Sequence, residues 1–351
     1  MFRVFDGRTA NEVWTMIAQS CQSIEAAELR VSRAGQILDL ENVCLTITDP
    51  RQRWVVSREP ALNPAFAIAE VVWIMNGRSD AAFLNYFNRQ LPRFAGNVEE
   101  YPGAYGYRLR HNMGIDQLDR AYSALSRNSH TRQVVLQIWD GKRDLPGNDG
   151  SPSSSDVPCN IVSLLKVRHG RLDWTQVLRS NDLFLGLPHN IVQFTSIHEI
   201  LAGWLGVTCG HFHLMTDCLH VYESDLQHIG SSKSLVAQEN TDVFTCGRVD
   251  SDKYFSILAE CIESIIDDDI SAEEILRLIE VVDLPSEYRN MLFVVAAEGL
   301  RRRNAVLLFD VLRQCTNGAY IQMWDRWITR MRINVEKELH RVIGEAVNPV
   351  D

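Results

Sequence analysis

The sequence predicts an α/β fold, in which the strands of a sheet alternate along the chain with long helices. Short runs rich in β-branched and aromatic residues at 133–139, 161–167 and 172–178 have the length and composition of strands. Longer apolar stretches at 65–75 and 191–205 have the length of helices. Strands and helices that follow one another in this way are typical of α/β domains.

The composition is that of a folded, acidic protein. With 351 residues, 46% of them hydrophobic, the chain can bury a large core and form one large domain, alone or with an appendage. Its net charge of -10 argues against a surface that coats a nucleic acid, although one cleft can still concentrate positive potential. A mononucleotide is therefore a better candidate ligand than a nucleic-acid polymer.

The sequence also predicts a cytoplasmic protein with no membrane partner. Residues 1–7 carry charges where a signal peptide needs an apolar stretch, and no apolar run approaches the roughly 20 residues of a membrane span. The eight cysteines lie far apart without a CxxC pair, which is expected of reduced thiols in an intracellular chain.

The N-terminal part is predicted to contain two helices and a strand. Apolar residues recur at helical spacing over 9–29, and 43–47 alternates like a strand. Arg33 lies between them in a predicted turn. Asn63-Pro64 supplies the cap and first-turn proline of a second helix, which Asn76-Gly77 closes.

In the central part of the chain, a polar loop is predicted to lead into a strand. Residues 140–156 are rich in Gly, Pro, Ser and Asp, so we predict an exposed loop that ends near Cys159. A turn at 168–171 joins the two strands that follow. After the helix at 191–205, the segment 207–222 is predicted to return to the sheet.

The last hundred residues have a different pattern. From about residue 251, apolar residues recur at helical spacing, and acidic and basic clusters interrupt them. We therefore predict a first domain over 1–250 and a helical extension over 251–351. The extension could cover the site, extend an interface between subunits or bind another protein, and the pattern fits all three.

Cys159 suggests a specific chemistry. A thiolate can add to C6 of a uracil or cytosine ring and turn C5 into a carbon nucleophile that accepts a one-carbon electrophile. Arg179, on the neighbouring predicted strand, would favour the thiolate. A buried structural cysteine is the alternative, but the polar loop before Cys159 and the arginine beside it favour a nucleophile.

The segment that follows carries a long motif. Arginine, serine, aspartate, glycine, proline and asparagine occur with the spacing Arg-Ser-x-Asp-x-x-x-Gly-x-Pro-x-Asn, here as Arg179, Ser180, Asp182, Gly186, Pro188 and Asn190. With this motif, residues from about 10 to 235 resemble the thymidylate synthase family, which includes pyrimidine nucleotide hydroxymethylases. The resemblance implies a mixed six-stranded sheet with long helices. It also implies a pyrimidine nucleoside monophosphate as substrate and 5,10-methylenetetrahydrofolate as co-substrate.

The resemblance assigns roles within this motif. Arg179 and Ser180 would bind the 5′-phosphate, and Asn190 would bind the edge of the base. Asp182 would contact the pterin and help to order the site, with Gly186 beside it. A guanidinium fork suits phosphate, and an amide suits a base edge, so the assignments are chemically reasonable. A plain ion pair between Arg179 and Asp182 is the alternative.

Three further catalytic or folate-binding residues are implied. Glu70 is the one charged residue in the apolar stretch 65–75, which suits it to exchange protons with the base through water. The family has a glutamate in this setting, in a Glu-x-x-Trp-x-x-x-Gly pattern matched by Glu70, Trp73 and Gly77. Trp73 would contact the folate, and Tyr105 matches a tyrosine near the nucleophile. A buried structural glutamate is the alternative for Glu70.

The segment 210–222 contains histidine, aspartate and cysteine, but their spacing fits no standard metal site, so we expect no metal. By resemblance, His220 and Tyr222 would bind the 3′-hydroxyl of the sugar. The family pattern Asp-x-His-x-Tyr is one residue longer here, since Asp217 and His220 are separated by two residues. The sugar pocket is therefore expected to differ.

The resemblance also implies a homodimer. Arg33 would complete the phosphate site, together with an arginine pair from the partner subunit. Only Arg132 of that pair is present here, in Thr131-Arg132-Gln133. Arg132 is accordingly predicted to reach the partner's site.

Three differences between this sequence and the family pattern bear on which product would be formed. Asn160 replaces a histidine after the nucleophile, and His189 replaces a phenylalanine before Asn190. The short apolar tail that closes the family's site is replaced by a helical extension that ends in 347–351. Methylation needs a site closed to water, whereas water that reaches the one-carbon unit gives a hydroxymethyl group. These departures favour a 5-hydroxymethylase over a thymidylate synthase, which remains the alternative.

Base, sugar and activity are left open. An asparagine at position 190 is found in relatives that use uracil, but an amide can also pair with cytosine. The sequence does not distinguish ribose from deoxyribose. A non-catalytic regulatory homologue is the alternative of another class, with 251–351 as its docking module, although a nucleotide sensor has no need of Cys159.

Overall fold

The computed structural model describes residues 2–22, 29–32, 35–231, 234–303 and 305–347, without the side chains of 22, 230–231 and 333–347. Seven strands form one mixed sheet in the described part of the chain, one more than the six predicted. The predicted fold class is confirmed. They are β1 (Arg3–Gly7), β2 (Arg30–Ser32), β3 (Gly35–Ile47), β4 (Val135–Gln137), β5 (Asn160–Arg168), β6 (Arg171–Asp182) and β7 (Thr208–Tyr222).

Six strands follow one another across the sheet in the order β1-β3-β7-β6-β5-β4. The pairs β1–β3 and β6–β7 are parallel, and the others in this path are antiparallel. The short β2 pairs with the beginning of β3, on the edge opposite β7, because Ile37 of β3 has both Arg30 and Tyr222 as partners. The predicted turn between β5 and β6 is present, with positive φ at His169 (52°) and Gly170 (72°).

Fourteen α-helical segments occur in the described part of the chain. They are α1 (Ala10–Gln22), α2 (Pro64–Met75), α3 (Ala81–Asn85), α4 (Leu91–Ala95), α5 (Tyr105–Tyr107), α6 (Gln117–Arg127), α7 (Gly141–Asp144), α8 (Leu187–Leu205), α9 (Glu223–Ser231), α10 (Arg248–Ile266), α11 (Ala272–Val281), α12 (Ser286–Arg302), α13 (Leu308–Leu312) and α14 (Gly318–Val347). A π-helical turn, Arg108–Asn112, follows α5. None of these helices is both long and apolar enough to cross a membrane.

Helix α2 lies at the centre of the packing. It begins as predicted, because the side chain of Asn63 accepts hydrogen bonds from the backbone N–H groups of Ala65 and Phe66, and Pro64 occupies the first turn. Every residue of α2 except Glu70 is buried. A helix that is apolar all round must be covered on all sides.

The layers around α2 explain this burial. Helix α8 lies on β6 and β7, and α2 packs on α8. Helices α10 and α12, from the predicted extension, pack on α2, and their side chains join the same hydrophobic core. Helix α14 contacts both α2 and α12. The division at residue 250 stays a prediction, but the helices that follow it complete the burial of α2.

A buried carboxylate links α14 to α12. Glu298 of α12 has no exposed surface and accepts hydrogen bonds from Arg301 and Arg302. It also accepts one from the indole N–H of Trp327 in α14, at 3.1 Å. A buried charge is tolerated when it is paired and hydrogen-bonded in this way. The bond to Trp327 fixes α14 beside the central helices.

Candidate active site

A cleft of about 1050 Å³ lies where loop 145–159, the ends of β6 and β7, and the first turn of α8 meet. Eleven of the thirteen predicted site residues line it. They are Glu70, Trp73, Tyr105, Cys159, Arg179, Ser180, Asp182, Gly186, Asn190, His220 and Tyr222. The sheet and α2 thus bring together residues that are up to 152 positions apart in the chain. The roles predicted for these residues stay predictions.

Two predicted residues are not in this group. Arg33 lies outside the described residues. Arg132 is exposed in the segment before β4 and does not line the cleft. An exposed position is compatible with a contact to a second subunit, but the contact itself stays a prediction.

Cys159 stands where the loop enters β5, and it is partly buried. The backbone N–H of Arg179 donates to the carbonyl of Cys159 at 3.0 Å, across the β5–β6 pair. The guanidinium donates to the carbonyls of Val157 and Pro158, both at 3.0 Å. Arg179 therefore holds the backbone just before the thiol.

Among the described residues, no carboxylate lies within ion-pair distance of Arg179, and Asp182 interacts elsewhere. The expected alternative, an ion pair between these two residues, is absent. The guanidinium is also 5.5 Å from the ring centroid of Trp139. An arginine whose protein partners are all neutral keeps its charge available for an anionic ligand.

The parallel pairing of β6 and β7 brings the next group of site side chains together. Ser180 is opposite Cys218, and Asp182 is opposite His220. The Ser180 hydroxyl lies 3.3 Å from Nδ1 of His220, and the ring of Tyr222 meets that of His220 edge to face at 5.4 Å. The strand alternation puts His220 and Tyr222 on one face, beside the serine.

Asp182 and His220 affect each other's ionisation. Burial raises the pKa of Asp182, although its carboxylate accepts hydrogen bonds from the backbone N–H groups of Phe184 (2.6 Å) and Leu185 (2.8 Å). Burial lowers the pKa of His220, against the attraction of the Asp182 and Asp39 carboxylates. The neutral form of each group is favoured by the same loss of solvent.

Glu70 and His189 lie in contact with each other on the wall of the cleft. Oε2 of the carboxylate lies 3.0 Å from Nδ1 of the imidazole, and both side chains are largely buried. The angles do not suit a hydrogen bond, and neither atom has another hydrogen-bond partner in the described part of the chain. Phe66 holds the imidazole from the other side, with ring centroids 4.9 Å apart. The two side chains thus form one polar pair on the wall of the cleft.

Tyr105 and Trp73 also line the cleft. Burial raises the pKa of the Tyr105 hydroxyl, and the nearby Cys159 adds to this, while a hydrogen bond with the Asn160 side chain opposes it. Trp73 is buried and donates its indole N–H to the carbonyl of Asp80 at 3.0 Å. The tyrosine is therefore an un-ionised hydroxyl near the thiol.

Gly186 and Asn190 sit at the start of α8. A Cβ atom on Gly186 would lie 3.0 Å from Oδ1 of Asn181, so a side chain there would press on the end of β6. Both the oxygen and the nitrogen of the Asn190 side-chain amide form hydrogen bonds. Its oxygen accepts from Nδ2 of Asn160 at 3.2 Å, and its nitrogen donates to Oδ1 of Asn181 at 3.0 Å.

Sequence reasoning missed several residues of the cleft. Trp327 and Arg330 reach it from α14, and Arg58 reaches it from the segment before α2. No sequence signal marks the two α14 residues, because an amphipathic helix looks the same whether its apolar face meets a core or a cleft. The polar residues behind Asn190 were also missed, apart from Asn160.

The fold and the cleft define an α/β protein in which a thiol, an arginine and an amide line one ligand-sized cleft. The sequence model of a family described as thymidylate synthase matches residues 58–255, more than half of the chain. The chain therefore belongs to the thymidylate synthase family, as its motif predicted.

Three relatives illustrate the range within this family. A protein named deoxyuridylate hydroxymethyltransferase from Bacillus phage SP01 is 34% identical over 213 residues, 58% of this chain and 55% of that protein. One with the same name from Pseudomonas phage M6 is 32% identical over 219 residues, 62% of this chain and 61% of that protein. A putative thymidylate synthase from Methanothermobacter marburgensis is 35% identical over 212 residues, 60% and 89% of the two chains. The chain thus spans little more than half the length of the two phage proteins.

Proposed function

We propose that this protein is a 5-hydroxymethylase of a uracil nucleoside 5′-monophosphate, with 5,10-methylenetetrahydrofolate as co-substrate. The observation that carries the proposal is the pair formed by Glu70 and His189. It places two polar atoms without hydrogen-bond partners in the described chain where the family has an apolar ring. The names of the two phage relatives support the same reaction and the uracil base.

The cleft fits two ligands of this kind. At about 1050 Å³ it lies at the upper end of ordinary ligand sites, so a nucleotide and a folate can share it. Arg179 and Ser180 would hold the phosphate. Trp73, Asp182 and Gly186 would hold the folate, which supplies a one-carbon unit at the oxidation level of formaldehyde. The aromatic rings of Trp73 and Trp327 suit its flat ring systems.

The proposed reaction uses the residues in order. The thiolate of Cys159 adds to C6 of the base, and C5 attacks the one-carbon unit of the folate. The C5 proton then passes to the folate nitrogen as the carbon–nitrogen bond breaks, which releases tetrahydrofolate and leaves the one-carbon unit on C5 as an exocyclic methylene. A water molecule beside the Glu70–His189 pair then adds its oxygen to that methylene and gives up a proton to the pair. The electron pair moves through C5 to the carbonyl at C4. Its return expels the Cys159 thiolate, restores the C5–C6 double bond and leaves a hydroxymethyl group.

Thymidylate synthesis is the second candidate, and one observation favours it. Trp327 and Arg330 of α14 cover part of the cleft and could exclude the water that hydroxymethylation needs. In that reaction a hydride from the folate would reduce the methylene, and dihydrofolate would be released. Hydroxymethylation releases tetrahydrofolate instead, so the two reactions differ in both products.

The test is to incubate the protein with 5,10-methylenetetrahydrofolate and each of dUMP, UMP, dCMP and CMP, and to identify products by mass spectrometry. We expect a product 30 mass units heavier than a uracil nucleotide, roughly one CH₂O, and no dihydrofolate. A methylated product with dihydrofolate would establish thymidylate synthesis instead. No product from any nucleotide would favour a regulatory homologue. Cys159→Ser is the matched control and should bind nucleotide without turnover.

A further inference from the structure

A series of hydrogen bonds between buried side chains connects the core of the sheet to Asn190. Trp174, Gln176 and Ser163 have no exposed surface, and neither has Asn160. Gln176 and Trp174 belong to β6, whereas Ser163 and Asn160 belong to β5. This series of hydrogen bonds reaches the cleft at Asn190, which is 7% exposed and lines the wall of the cleft.

The hydrogen bonds of this relay run in one direction. The indole Nε1 of Trp174 and the hydroxyl of Ser163 both donate to Oε1 of Gln176, at 3.0 and 2.6 Å. Nε2 of Gln176 donates to Oδ1 of Asn160 at 2.9 Å. Nδ2 of Asn160 donates to Oδ1 of Asn190, whose Nδ2 donates to Asn181. These residues, Trp174, Ser163, Gln176, Asn160, Asn190 and Asn181, are called the amide relay below.

The indole sets that direction. A hydroxyl can donate or accept, and an amide can be turned over, but an indole N–H can only donate. The oxygen of Gln176 must therefore face Trp174, which leaves its nitrogen for Asn160. Each following amide is oriented by the one before it. A turned amide would place two oxygens or two nitrogens together in a site without solvent, and a buried polar group without a partner is costly.

The orientation of Asn190 decides which base can bind. After its two bonds in the relay, its amide keeps one N–H and one oxygen lone pair. Uracil offers a donor at N3 and an acceptor at O4, whereas cytosine offers an acceptor at N3 and a donor at N4. A base held through C6 by Cys159 has its edge in a fixed place. One orientation of the amide therefore suits uracil, and the opposite orientation suits cytosine.

We propose that Trp174, Gln176 and Asn160 are positioning residues that lock Asn190 in the orientation that selects uracil. Base choice is then set by residues that do not touch the base. This inference rests on the proposed function, in which Asn190 binds the base edge. It also gives a reason for Asn160 beside the nucleophile, because its amide both accepts from Gln176 and donates to Asn190.

The test compares three variants, Gln176→Glu, Trp174→Phe and Ser163→Ala. An ionised glutamate at position 176 can only accept, so Asn160 must donate to it, and Asn190 must turn. We expect the ratio of kcat/KM for dUMP over that for dCMP to fall at least ~100-fold above the pKa of the new carboxyl. Trp174→Phe removes the fixed donor and should lower the ratio by roughly tenfold. Ser163→Ala is the control, because the indole still sets the direction, and its ratio should stay at the wild-type value.

A purely structural relay would give a different result. Its loss would slow dUMP and dCMP alike and leave their ratio unchanged in all three variants, which would overturn the inference. Calorimetric affinities for dUMP and dCMP give the same ratio without turnover. If the wild type proves inactive, the proposed function fails, yet the affinity ratio of the Gln176→Glu variant still tests the relay. Thermal melting of each variant shows that it is folded.

Discussion

His189 differs in kind from the apolar ring that it replaces. Its Nδ1 faces Glu70 at 3.0 Å, and Phe66 holds the imidazole plane. A phenylalanine in this place would leave the Glu70 carboxyl against a hydrocarbon surface. A pair made of a carboxyl and an imidazole can bind a water molecule and take its proton, which is general base catalysis.

We predict that His189→Phe changes the product. Without the imidazole, attack by water should slow by roughly 100-fold, the usual size of a general-base contribution, while addition of the one-carbon unit continues. The ratio of methylated to hydroxymethylated nucleotide should rise accordingly, measured by mass spectrometry with dihydrofolate followed by absorbance. His213→Phe is the control, since His213 is partly buried on β7 away from the cleft. An unchanged product ratio in His189→Phe would argue against the water-binding pair.

A second histidine affects stability rather than catalysis. His198 of α8 is fully buried against Trp174 and Phe212, and its Nε2 bonds to the carbonyl of Leu172. Burial lowers its pKa from 6.5 to about 4. The unfolded chain therefore binds a proton at a higher pH than the folded chain does.

The sign of the pH dependence follows from this shift. The contribution of His198 is fully present above pH 6.5 and is lost as the pH falls from there to about 4. The expected loss is about 3 kcal/mol in the free energy of unfolding. Urea denaturation of wild type and His198→Gln across this range should show a shallower slope for the variant. The exposed His130→Gln should match the wild type, and equal slopes for all three would contradict the prediction.

At the scale of elements, some boundaries were predictable and others were not. Helix α2 begins at its Asn-Pro cap, and the turn between β5 and β6 lies where Gly170 occurs, because these signals are local. Strand β3 begins at Gly35 rather than near Val43, since pairing of Ile37 and its neighbours with β7 extends the strand towards the N-terminus. Pairing with a distant strand leaves no mark in the local sequence.

The residues of the site were also only partly predictable. Local spacing identifies some of them, and long-range packing brings in the others. The motif around Arg179 places several groups on one strand end, and fixed spacing identifies them. His189 stood out as unusual, but its partner Glu70 lies 119 positions earlier, and only the packing of α2 on α8 brings them together. The apolar sequence of α2 requires other elements to cover the helix on all sides. Together with α8, the helices α10 and α12 do so.

Helix α14 brings a cation into the cleft. Nη1 of Arg330 donates to the carbonyl of Ala61 at 2.6 Å, and the guanidinium lies 5.2 Å from the ring centroid of Trp327. Burial lowers the pKa of the neighbouring Arg58 to about 9, and the charge of Arg330 adds to that effect. Within the described chain, neither arginine pairs with a carboxylate. Two such cations favour an anionic group between them.

We predict that Arg330 binds the glutamate end of the folate. Arg330→Gln should raise KM for 5,10-methylenetetrahydrofolate about tenfold and leave KM for the nucleotide unchanged. With a tetrahydropteroate analogue that lacks the glutamate, the variant and wild type should behave alike. Arg326→Gln is the matched control, one turn earlier on α14, where Arg326 pairs with Glu59. Equal loss with both forms of the co-substrate would mean that Arg330 supports the fold rather than the ligand.

The net charge of the whole molecule and the charge of the arginines in its cleft have opposite signs. The chain carries a charge of -10, yet Arg58, Arg179 and Arg330 line one cleft with carbonyl groups as their hydrogen-bond partners. These arginines add positive potential to a cleft that Glu70, Asp156 and Asp182 also line. We therefore expect small anions, rather than nucleic-acid polymers, as ligands of this cleft.

The proposed homodimer gives the last prediction. If Arg132 binds phosphate in the partner's site, then Arg132→Gln and Cys159→Ser each inactivate the homodimer, but by defects in different subunits. In a mixed dimer, the site with an intact Cys159 receives Arg132 from the Cys159→Ser subunit. Random assembly of co-expressed variants should therefore restore about a quarter of wild-type turnover, since half of the dimers are mixed and each has one intact site.

The measurement is the turnover rate of the co-expressed, purified mixture against each variant alone. As a control, Arg120→Gln replaces Arg132→Gln, because Arg120 is likewise exposed but lies on α6 away from the cleft. Arg120→Gln alone should keep wild-type turnover, so only the Arg132 pairing should show activity created by mixing. A monomer, or a dimer in which Arg132 serves its own subunit, has no means of complementation. A mixture no more active than its better component would therefore reject the shared site, whatever the oligomeric state.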